Sequence, residues 1–135
     1  MHILIYSSRA VDGTDRDALR DILAASRDRN AEEGVTGCLL YSGTAFLQVL
    51  EGEEGPVRET FARIRRDPRH TDVRVLVDEG APDRAHGDWS MGFAHLGEDE
   101  VPGEEDTSDA LVDGEAARAL LLRCGARADA GHADA

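Results

Sequence analysis

Short apolar runs alternate with two stretches of helical periodicity along the chain, and this order constrains the fold more than any other feature of the sequence. Residues 3–6 predict a first strand, and apolar positions at helical spacing predict a helix over residues 14–32. Two strands joined at a Ser42-Gly43 turn follow, then a helix that begins in GEEGPV and ends near Pro68, and then the strands VRVLVDEG and WSMGFAHL. The order β-α-β-β-α-β-β predicts an α+β, ferredoxin-like sheet with both helices on one face.

The C-terminal segment SDALVDGEAARALLLR is predicted to cover the other face of that sheet. With both helices on one side, apolar strand residues such as Ile3 and Val49 would otherwise be exposed on the other. The segment carries apolar residues at helical spacing, namely Leu111, Val112, Ala116, Leu120 and Leu121. The sequence thus predicts a core domain over residues 1–97, an acidic loop with C-terminal capping helices over residues 98–125, and a disordered tail over residues 126–135.

An excess of acidic residues limits the kinds of partner that the protein is expected to bind. The 135-residue chain carries 15 basic and 28 acidic residues, with a formal net charge of −13. Nucleic acid and anionic membranes both attract a positive surface, so we expect the protein to bind neither. No segment is typical of a signal peptide or a membrane span, and the two cysteines, Cys38 and Cys124, give no disulfide framework. These features predict a cytoplasmic location.

The glutamine in FLQVLEG is a polar residue in a strand that looks buried on both faces. Gln48 shares one face with Phe46, and a buried amide without partners costs about 1–3 kcal/mol. Tyr6 alternates onto a sheet face in the same way, and the apolar stripe of the first helix ends in Ser26 and Asn30. If these groups converge, they form an apolar pocket with a few hydrogen-bonding groups. The alternative is a buried network in which these polar groups bond only to one another. That alternative is favoured for any one of these residues taken alone, but the pocket is favoured for all of them together.

A basic cluster follows the second predicted helix in the segment RIRRDPRH, with Arg63, Arg65, Arg66, Arg69 and His70. One interpretation is an anion site, because arginine binds phosphate in a forked geometry. The other is a set of cations placed favourably at a helix C-terminus, each worth about 0.3–1 kcal/mol. The residues alone favour neither interpretation.

Catalytic and metal-binding patterns are lacking in the sequence. The five histidines show no metal-ligand spacing, and no serine or cysteine lies in a nucleophile motif. Amide and phenol groups form hydrogen bonds but are not strong acids or bases. We therefore expect binding or sensing rather than enzymatic turnover, and no bound metal.

Five segments of the chain, in this order and spacing, resemble the BLUF family, the blue-light sensors that use FAD. The resemblance covers residues 2 to about 96, which is nearly the whole predicted core. The segments are IYSSRA with Tyr6, SRDRNAEEGVTGCLLYS with Asn30, FLQVLEG with Gln48, DPRH with Arg69 and His70, and WSMGF with Trp89 and Met91. The resemblance implies that residues 1–97 form a flavin-binding sensor domain, with the flavin between the two helices and over the sheet. FAD is the expected cofactor, with FMN or riboflavin as substitutes.

The same resemblance implies a set of site residues. Tyr6 and Gln48 form the light-responsive pair, with Trp89 and Met91 completing the photoactive switch, and Asn30 holds the polar edge of the flavin. The positions expected to contact the cofactor are Tyr6, Ile22, Ser26, Arg29, Asn30, Phe46, Gln48, Ile64, Arg66, Asp67, Arg69 and His70.

Within that set, Ile22 and Ile64 are expected to pack against the ring. The residues expected along the ring or its ribityl-phosphate side are Ser26, Arg29, Arg69 and His70. Family members often carry an amide or an imidazole where this chain has Arg29, whose guanidinium can stack on a flat ring. The resemblance favours the anion-facing interpretation of the basic cluster for Arg69 and His70.

The implied mechanism rearranges hydrogen bonds and transforms no substrate. After excitation by light, Tyr6 gives up an electron and then a proton to the oxidised flavin, and their recombination leaves Gln48 rotated or tautomerised. An amide suits this task because its two ends offer donors and an acceptor, so reorientation exchanges the bonding pattern without moving charge. The signal is expected to pass to the strand with Trp89 and Met91, and from there to the C-terminal helices.

The chain stops soon after the predicted core, so no output domain is expected to be fused to it. The signal is therefore expected to pass through a partner protein or through a change in homo-oligomeric state. Three alternatives stay open. The first is a light-independent module that binds flavin or another small ligand. The second is an enzyme of ferredoxin-like fold that uses the same pocket, and the third is a structural dimerisation module.

Overall fold

A computed structural model describes residues 1–10, 16–41, 45–68, 70–83, 92–95 and 121. Its elements follow the predicted order: β1 (His2–Ala10), α1 (Arg16–Glu33), β2 (Thr36–Tyr41), β3 (Ala45–Gly52), α2 (Glu54–Arg65), β4 (His70–Gly80) and β5 (Gly92–His95). The α+β class is confirmed. Two predicted features, the Ser42-Gly43 turn and the start of the first helix at Thr14, lie outside the described residues.

The five strands form one sheet in the order β4-β1-β3-β2-β5. The four strands from β4 to β2 are antiparallel to their neighbours, and β5 lies at the edge, parallel to β2. Because β3 lies between β1 and β2, the chain makes a split β-α-β crossover, which is the ferredoxin-like arrangement that the element order predicts.

The register of β1 against β3 sorts the side chains into two layers. Tyr6 lies opposite Gln48, and Leu4 lies opposite Leu50. Leu4, Tyr6 and Leu50 pack with α1 and α2 in one core cluster, to which the helices contribute Leu23, Val57 and Phe61. The alternation predicted for FLQVLEG is therefore confirmed, because Phe46, Gln48 and Leu50 share the face that the helices cover.

The second face of the sheet carries a separate apolar cluster, which consists of Ile3, Ile5, Cys38, Leu40, Leu47, Val49 and Leu121. Leu121 is the one described residue of the C-terminal segment, and it is helical and 1% exposed. Its place in this cluster agrees with the predicted cover over the second face. The other predicted residues of that cover, the acidic loop and the tail lie outside the described residues, so the domain division stays a prediction.

The ends of the two helices carry the expected backbone signals. Gly34 directly follows α1 with a φ of 71°, a left-handed conformation that glycine adopts at little cost. Pro56 lies in the first turn of α2, where its missing N–H has no helical partner to lose. The N–H groups of Arg66 and Asp67 donate to the carbonyls of Arg63 and Ile64 and close the last turn.

The fourth strand is longer than predicted. It begins at His70, three residues before the start of VRVLVDEG, because its antiparallel pairing with β1 continues to the Ala10↔His70 pair. Two register irregularities interrupt this pairing, one between Ile5 and Tyr6 of β1 and one between Ser7 and Arg9. Neither helix in the described ranges is both long and apolar enough to cross a membrane.

Candidate cofactor site

A cavity of about 190 Å³ lies between α1 and α2, over the helix-facing side of the sheet. Strand residues form its floor, and residues spaced three or four apart on each helix form its walls. The lining residues are Tyr6, Ile22, Ala25, Ser26, Arg29, Asn30, Leu39, Phe46, Gln48, Thr60, Arg63, Ile64 and Asp67. The cavity therefore combines apolar walls with a small number of polar groups, as ligand sites commonly do.

A hydrogen bond between Tyr6 and Gln48 lies on the floor of this cavity. The Tyr6 hydroxyl donates to Oε1 of Gln48, and both side chains are 3% exposed. Their strands place them directly opposite each other, which makes the contact a consequence of the β1–β3 register. The Tyr6 ring also contacts Phe61 of α2, with 5.3 Å between ring centroids. The pair is thus held by the sheet on one side and by a helix on the other.

The environment of Tyr6 keeps its hydroxyl protonated. Burial raises the pKa of the Tyr6 phenol well above its usual value, and the nearby Asp67 carboxylate raises the pKa further. Both causes disfavour the phenolate, since one removes solvation and the other adds a like charge. Tyr6 is therefore a proton donor toward Gln48 over the whole physiological range of pH.

Asn30 brings a second buried amide to the cavity from the last turns of α1. Its side chain is 2% exposed, and its backbone carbonyl accepts a hydrogen bond of 3.0 Å from the N–H of Val35. Ile22 and Ser26 precede Asn30 at intervals of four residues and line the same wall. The amide thus continues the cavity-facing row of α1 that begins with Ile22 and Ala25 and becomes polar at Ser26 and Arg29.

An ion pair joins the two helices beside the cavity. Nη2 of Arg63 donates to Oε1 of Glu33 over 2.8 Å and to Oγ1 of Thr60 over 3.3 Å. The hydroxyl of Thr60 also donates to Glu33 over 3.3 Å. The hydrogen bond from Arg63 is the main cause that lowers the pKa of Glu33. This cluster ties the end of α1 to the C-terminal half of α2.

The structure brings most of the predicted contact residues together around one cavity, namely Tyr6, Ile22, Ser26, Arg29, Asn30, Phe46, Gln48, Ile64 and Asp67. Arg66 is exposed at the C-terminal end of α2 and is not among the lining residues. His70 begins β4, whereas Arg69, Trp89 and Met91 lie outside the described residues. Contact of any of these residues with a flavin stays a prediction.

Four lining residues were not among the predicted contacts: Ala25, Leu39, Thr60 and Arg63. Thr60 follows Val57 by three residues and precedes Ile64 by four, so the helical stripe contained the signal for it. Leu39 lies opposite Gln48, a relation that depends on strand register and has no local sequence signal. Within the described ranges, no group of three or more acidic, histidine or cysteine side chains is placed to hold a metal ion.

Comparison with known proteins agrees with this geometry. Residues 1–92 match the family model for BLUF, described as sensors of blue light using FAD. The chain is 35% identical over 95 residues to photoactivated adenylate cyclase subunit beta of Euglena gracilis, an alignment that covers 69% of this chain and 11% of that protein. It is also 35% identical over 93 residues to the blue light- and temperature-regulated antirepressor BluF of Escherichia coli strain K12, covering 69% of this chain and 23% of that one.

The structural likeness extends over more of the chain. The photo-activated state of BlsA superposes with a TM-score of 0.82 at 28% identity, covering 91% of this chain and 94% of BlsA. By contrast, the chain matches less than a quarter of the length of the two sequence relatives named above.

A ferredoxin-like sheet with a partly polar cavity beneath two helices defines a small ligand-binding domain. The family match makes that class specific: the chain belongs to the BLUF family and is a blue-light sensor. Proteins of this family bind flavin, and in relatives such as the Euglena cyclase the sensor accompanies an effector.

Proposed function

We propose that this chain binds FAD in the cavity between α1 and α2 and that Tyr6 and Gln48 are its light-responsive pair. The observation that carries the proposal is the buried hydrogen bond from the Tyr6 hydroxyl to Oε1 of Gln48 on the cavity floor. A buried tyrosine–amide pair that faces a cavity is placed to respond to whatever occupies that cavity.

The lining residues fit a flavin ring. Such a ring has two apolar faces and a polar edge with carbonyl and N–H groups. Ile22 and Ile64 supply apolar side chains on the two helices, and the amides of Asn30 and Gln48 supply both donors and acceptors. Arg63 adds guanidinium donors at the wall of the cavity. The donor set thus matches a flat ligand with a hydrogen-bonding edge.

A bound flavin would supply absorption of blue light and, when excited, a strong oxidant. Tyr6 is placed to donate an electron and a proton, because its hydroxyl is buried on the cavity floor and bonded to Gln48. Oε1 of Gln48 is in place to accept that proton. Tyr6 would then regain an electron and a proton, so the chain would undergo no net change of charge or oxidation state. Rotation or tautomerisation of the amide then exchanges a donor for an acceptor at the cavity surface, and both arrangements satisfy buried groups.

The output is proposed to pass from the sheet to a partner protein or to a second copy of the chain. Gln48 and the residues of the second apolar cluster alternate along β3, so a change in this strand reaches both faces. The Escherichia coli relative is named an antirepressor, which favours a protein partner as the receiver. The sensor is proposed to act without catalysis of its own, and its cytoplasmic location stays a prediction from the sequence.

The visible spectrum of the purified chain, recorded before and after blue light, tests the proposal. A flavin spectrum with a small, reversible red shift is the expected result. A flavin spectrum that does not respond to light would support the light-independent binding module instead. A colourless protein that takes up no added FAD, FMN or riboflavin would contradict the proposal.

A further inference from the structure

Glu33 is an acidic residue outside the cavity that is bonded to a residue of its wall. It is the last residue of α1, and its carboxylate accepts hydrogen bonds from Arg63 and Thr60 of α2. The side chains of Glu33 and Arg63 are each 28% exposed, so water screens the ion pair only in part. The bridge spans 30 positions of sequence and joins the two helices that enclose the cavity.

Arg63 lines the cavity while one of its nitrogens is held by two hydrogen bonds. Both of its hydrogen bonds to Glu33 and Thr60 use Nη2. A guanidinium carries five N–H groups in a fixed plane, so fixing Nη2 also fixes the directions of the donors on Nε and Nη1. Since Arg63 lines the cavity, these donors are available to an acceptor within it.

We propose that Glu33 is a positioning residue for the flavin, which acts through Arg63. It holds the guanidinium in one orientation before the ligand arrives, and its negative charge balances the positive charge of Arg63. With its charge balanced, Arg63 then donates to an uncharged acceptor, a carbonyl oxygen of the flavin ring, in preference to the phosphate group of FMN or FAD. This inference rests on the proposed function, and it adds how the site selects its ligand.

Two physical effects follow from losing Glu33. An unrestrained arginine must be immobilised when the ligand binds, and this ordering weakens affinity by about 2- to 12-fold. An unbalanced guanidinium also attracts a phosphate group, and the attraction falls with added salt. If Glu33 only supported the fold, its loss would weaken the binding of all ligands alike. It would not create a salt-dependent preference for a ligand that carries phosphate.

The test measures the dissociation constants of riboflavin and FMN for the full chain at two salt concentrations. In Glu33→Ala, we expect riboflavin binding to weaken by about 2- to 12-fold and FMN binding to weaken less. The preference for FMN should decrease at high salt. Glu33→Gln restores an acceptor without the charge, so riboflavin affinity should partly recover while the preference for FMN remains.

Glu32→Ala is the matched control, because Glu32 is the adjacent carboxylate, is exposed and does not line the cavity. It should leave both constants unchanged. Arg63→Gln supplies a second comparison, since Glu33→Ala should have no further effect in that background if Glu33 acts through Arg63.

Three results would overturn the inference alone: Glu33→Ala behaving like Glu32→Ala, Glu33→Ala weakening riboflavin and FMN equally at both salt concentrations, or Glu33→Ala weakening either ligand further in the Arg63→Gln background. Failure of the unaltered chain to bind any flavin would instead overturn the proposed function, and the inference with it. The two failures are therefore distinguished by the unaltered protein.

Discussion

Gln48 accepts a buried hydrogen bond from Tyr6 on the floor of the cavity. Its position in FLQVLEG required a buried partner, and strand alternation identified the face on which that partner lies. The structure supplies the partner in Tyr6, which is opposite Gln48 in the β1–β3 register. The sequence could not predict this pairing from local patterns, because register depends on how two distant strands align.

Replacing Tyr6 by phenylalanine tests its role as the donor. Tyr6→Phe removes the hydroxyl that donates to Gln48 and retains the ring contact with Phe61. We expect the variant to bind flavin and to lose the light-induced red shift, as measured by absorption before and after blue light. Tyr41→Phe is the control, since Tyr41 is the other tyrosine of the chain and does not line the cavity. A full red shift in Tyr6→Phe would contradict the donor role.

At the scale of elements, the periodicity of the sequence predicted the order of strands and helices, but not the contacts that link them. The bridge from Glu33 to Arg63 joins positions far apart in sequence and has no local signal. The irregular pairing of β4 with β1 likewise involves two strands that are far apart in sequence. Contacts of this kind can be identified only from the three-dimensional arrangement of the helices and strands.

Gly37 of β2 lies where a side chain has no room. A Cβ atom at this position would be 1.9 Å from the backbone carbonyl oxygen of Val49 in β3. Because a backbone atom of a paired strand cannot move aside cheaply, we expect Gly37→Ala to lower the free energy of unfolding by about 3 kcal/mol or more. Urea denaturation measures this change.

Gly55→Ala is the control for Gly37→Ala, because a Cβ atom at Gly55 in α2 would meet no atom within 4 Å. Alanine also favours the helix over glycine by about 1 kcal/mol. The control should therefore unfold at the same urea concentration as the unaltered protein, or at a higher one. Equal effects of the two substitutions would contradict the close approach of β2 and β3.

Asp78 links β4 to both β1 and α2. His2 bonds to its carboxylate over 2.5 Å, and Arg58 donates to it over 3.1 and 3.2 Å. The hydrogen bond from His2, followed by that from Arg58, lowers the pKa of Asp78 below its usual value. A carboxylate with a lowered pKa stabilises the fold above its unfolded pKa, and this contribution is lost as the pH falls through its folded pKa.

The acid dependence of unfolding should therefore differ between two aspartate variants. The free energy of unfolding of the unaltered protein should fall as the pH decreases below about 4, and Asp78→Asn should show a smaller decrease. Asp28→Asn, at an exposed position on α1, should retain the original acid dependence. Urea denaturation at a series of pH values measures both, and the same dependence in Asp78→Asn as in Asp28→Asn would contradict the role of this network.

At the scale of the whole molecule, each face of the sheet carries an apolar cluster. The cluster on the face away from α1 and α2 includes Leu121 of the C-terminal segment. Leu121 packs against strand residues of β1, β2 and β3, including Ile3, Cys38 and Val49. The sequence predicts a cover by the C-terminal segment because five strands with helices on one face would otherwise leave an apolar surface exposed. Burial of Leu121 identifies the point at which the segment meets the sheet.

Truncation of Leu121 measures how much that cover stabilises the fold. Leu121→Ala removes a side chain that is 1% exposed, and we expect the free energy of unfolding to decrease by about 2–5 kcal/mol. Val75→Ala is the control, because Val75 on β4 is 42% exposed and its loss should cost less than about 1 kcal/mol. Similar urea midpoints for the two variants would mean that the C-terminal segment does not stabilise the sheet.

The central claim, that light changes the hydrogen bonds of Gln48, has a direct test because Gln48 is the only glutamine in the chain. Isotope labelling of glutamine side-chain carbonyls therefore reports on one residue. The light-minus-dark infrared spectrum should contain a label-sensitive carbonyl band that changes on illumination, reverts in the dark and is absent in Gln48→Leu. A spectrum in which flavin bands respond to light and no label-sensitive band does would contradict the account.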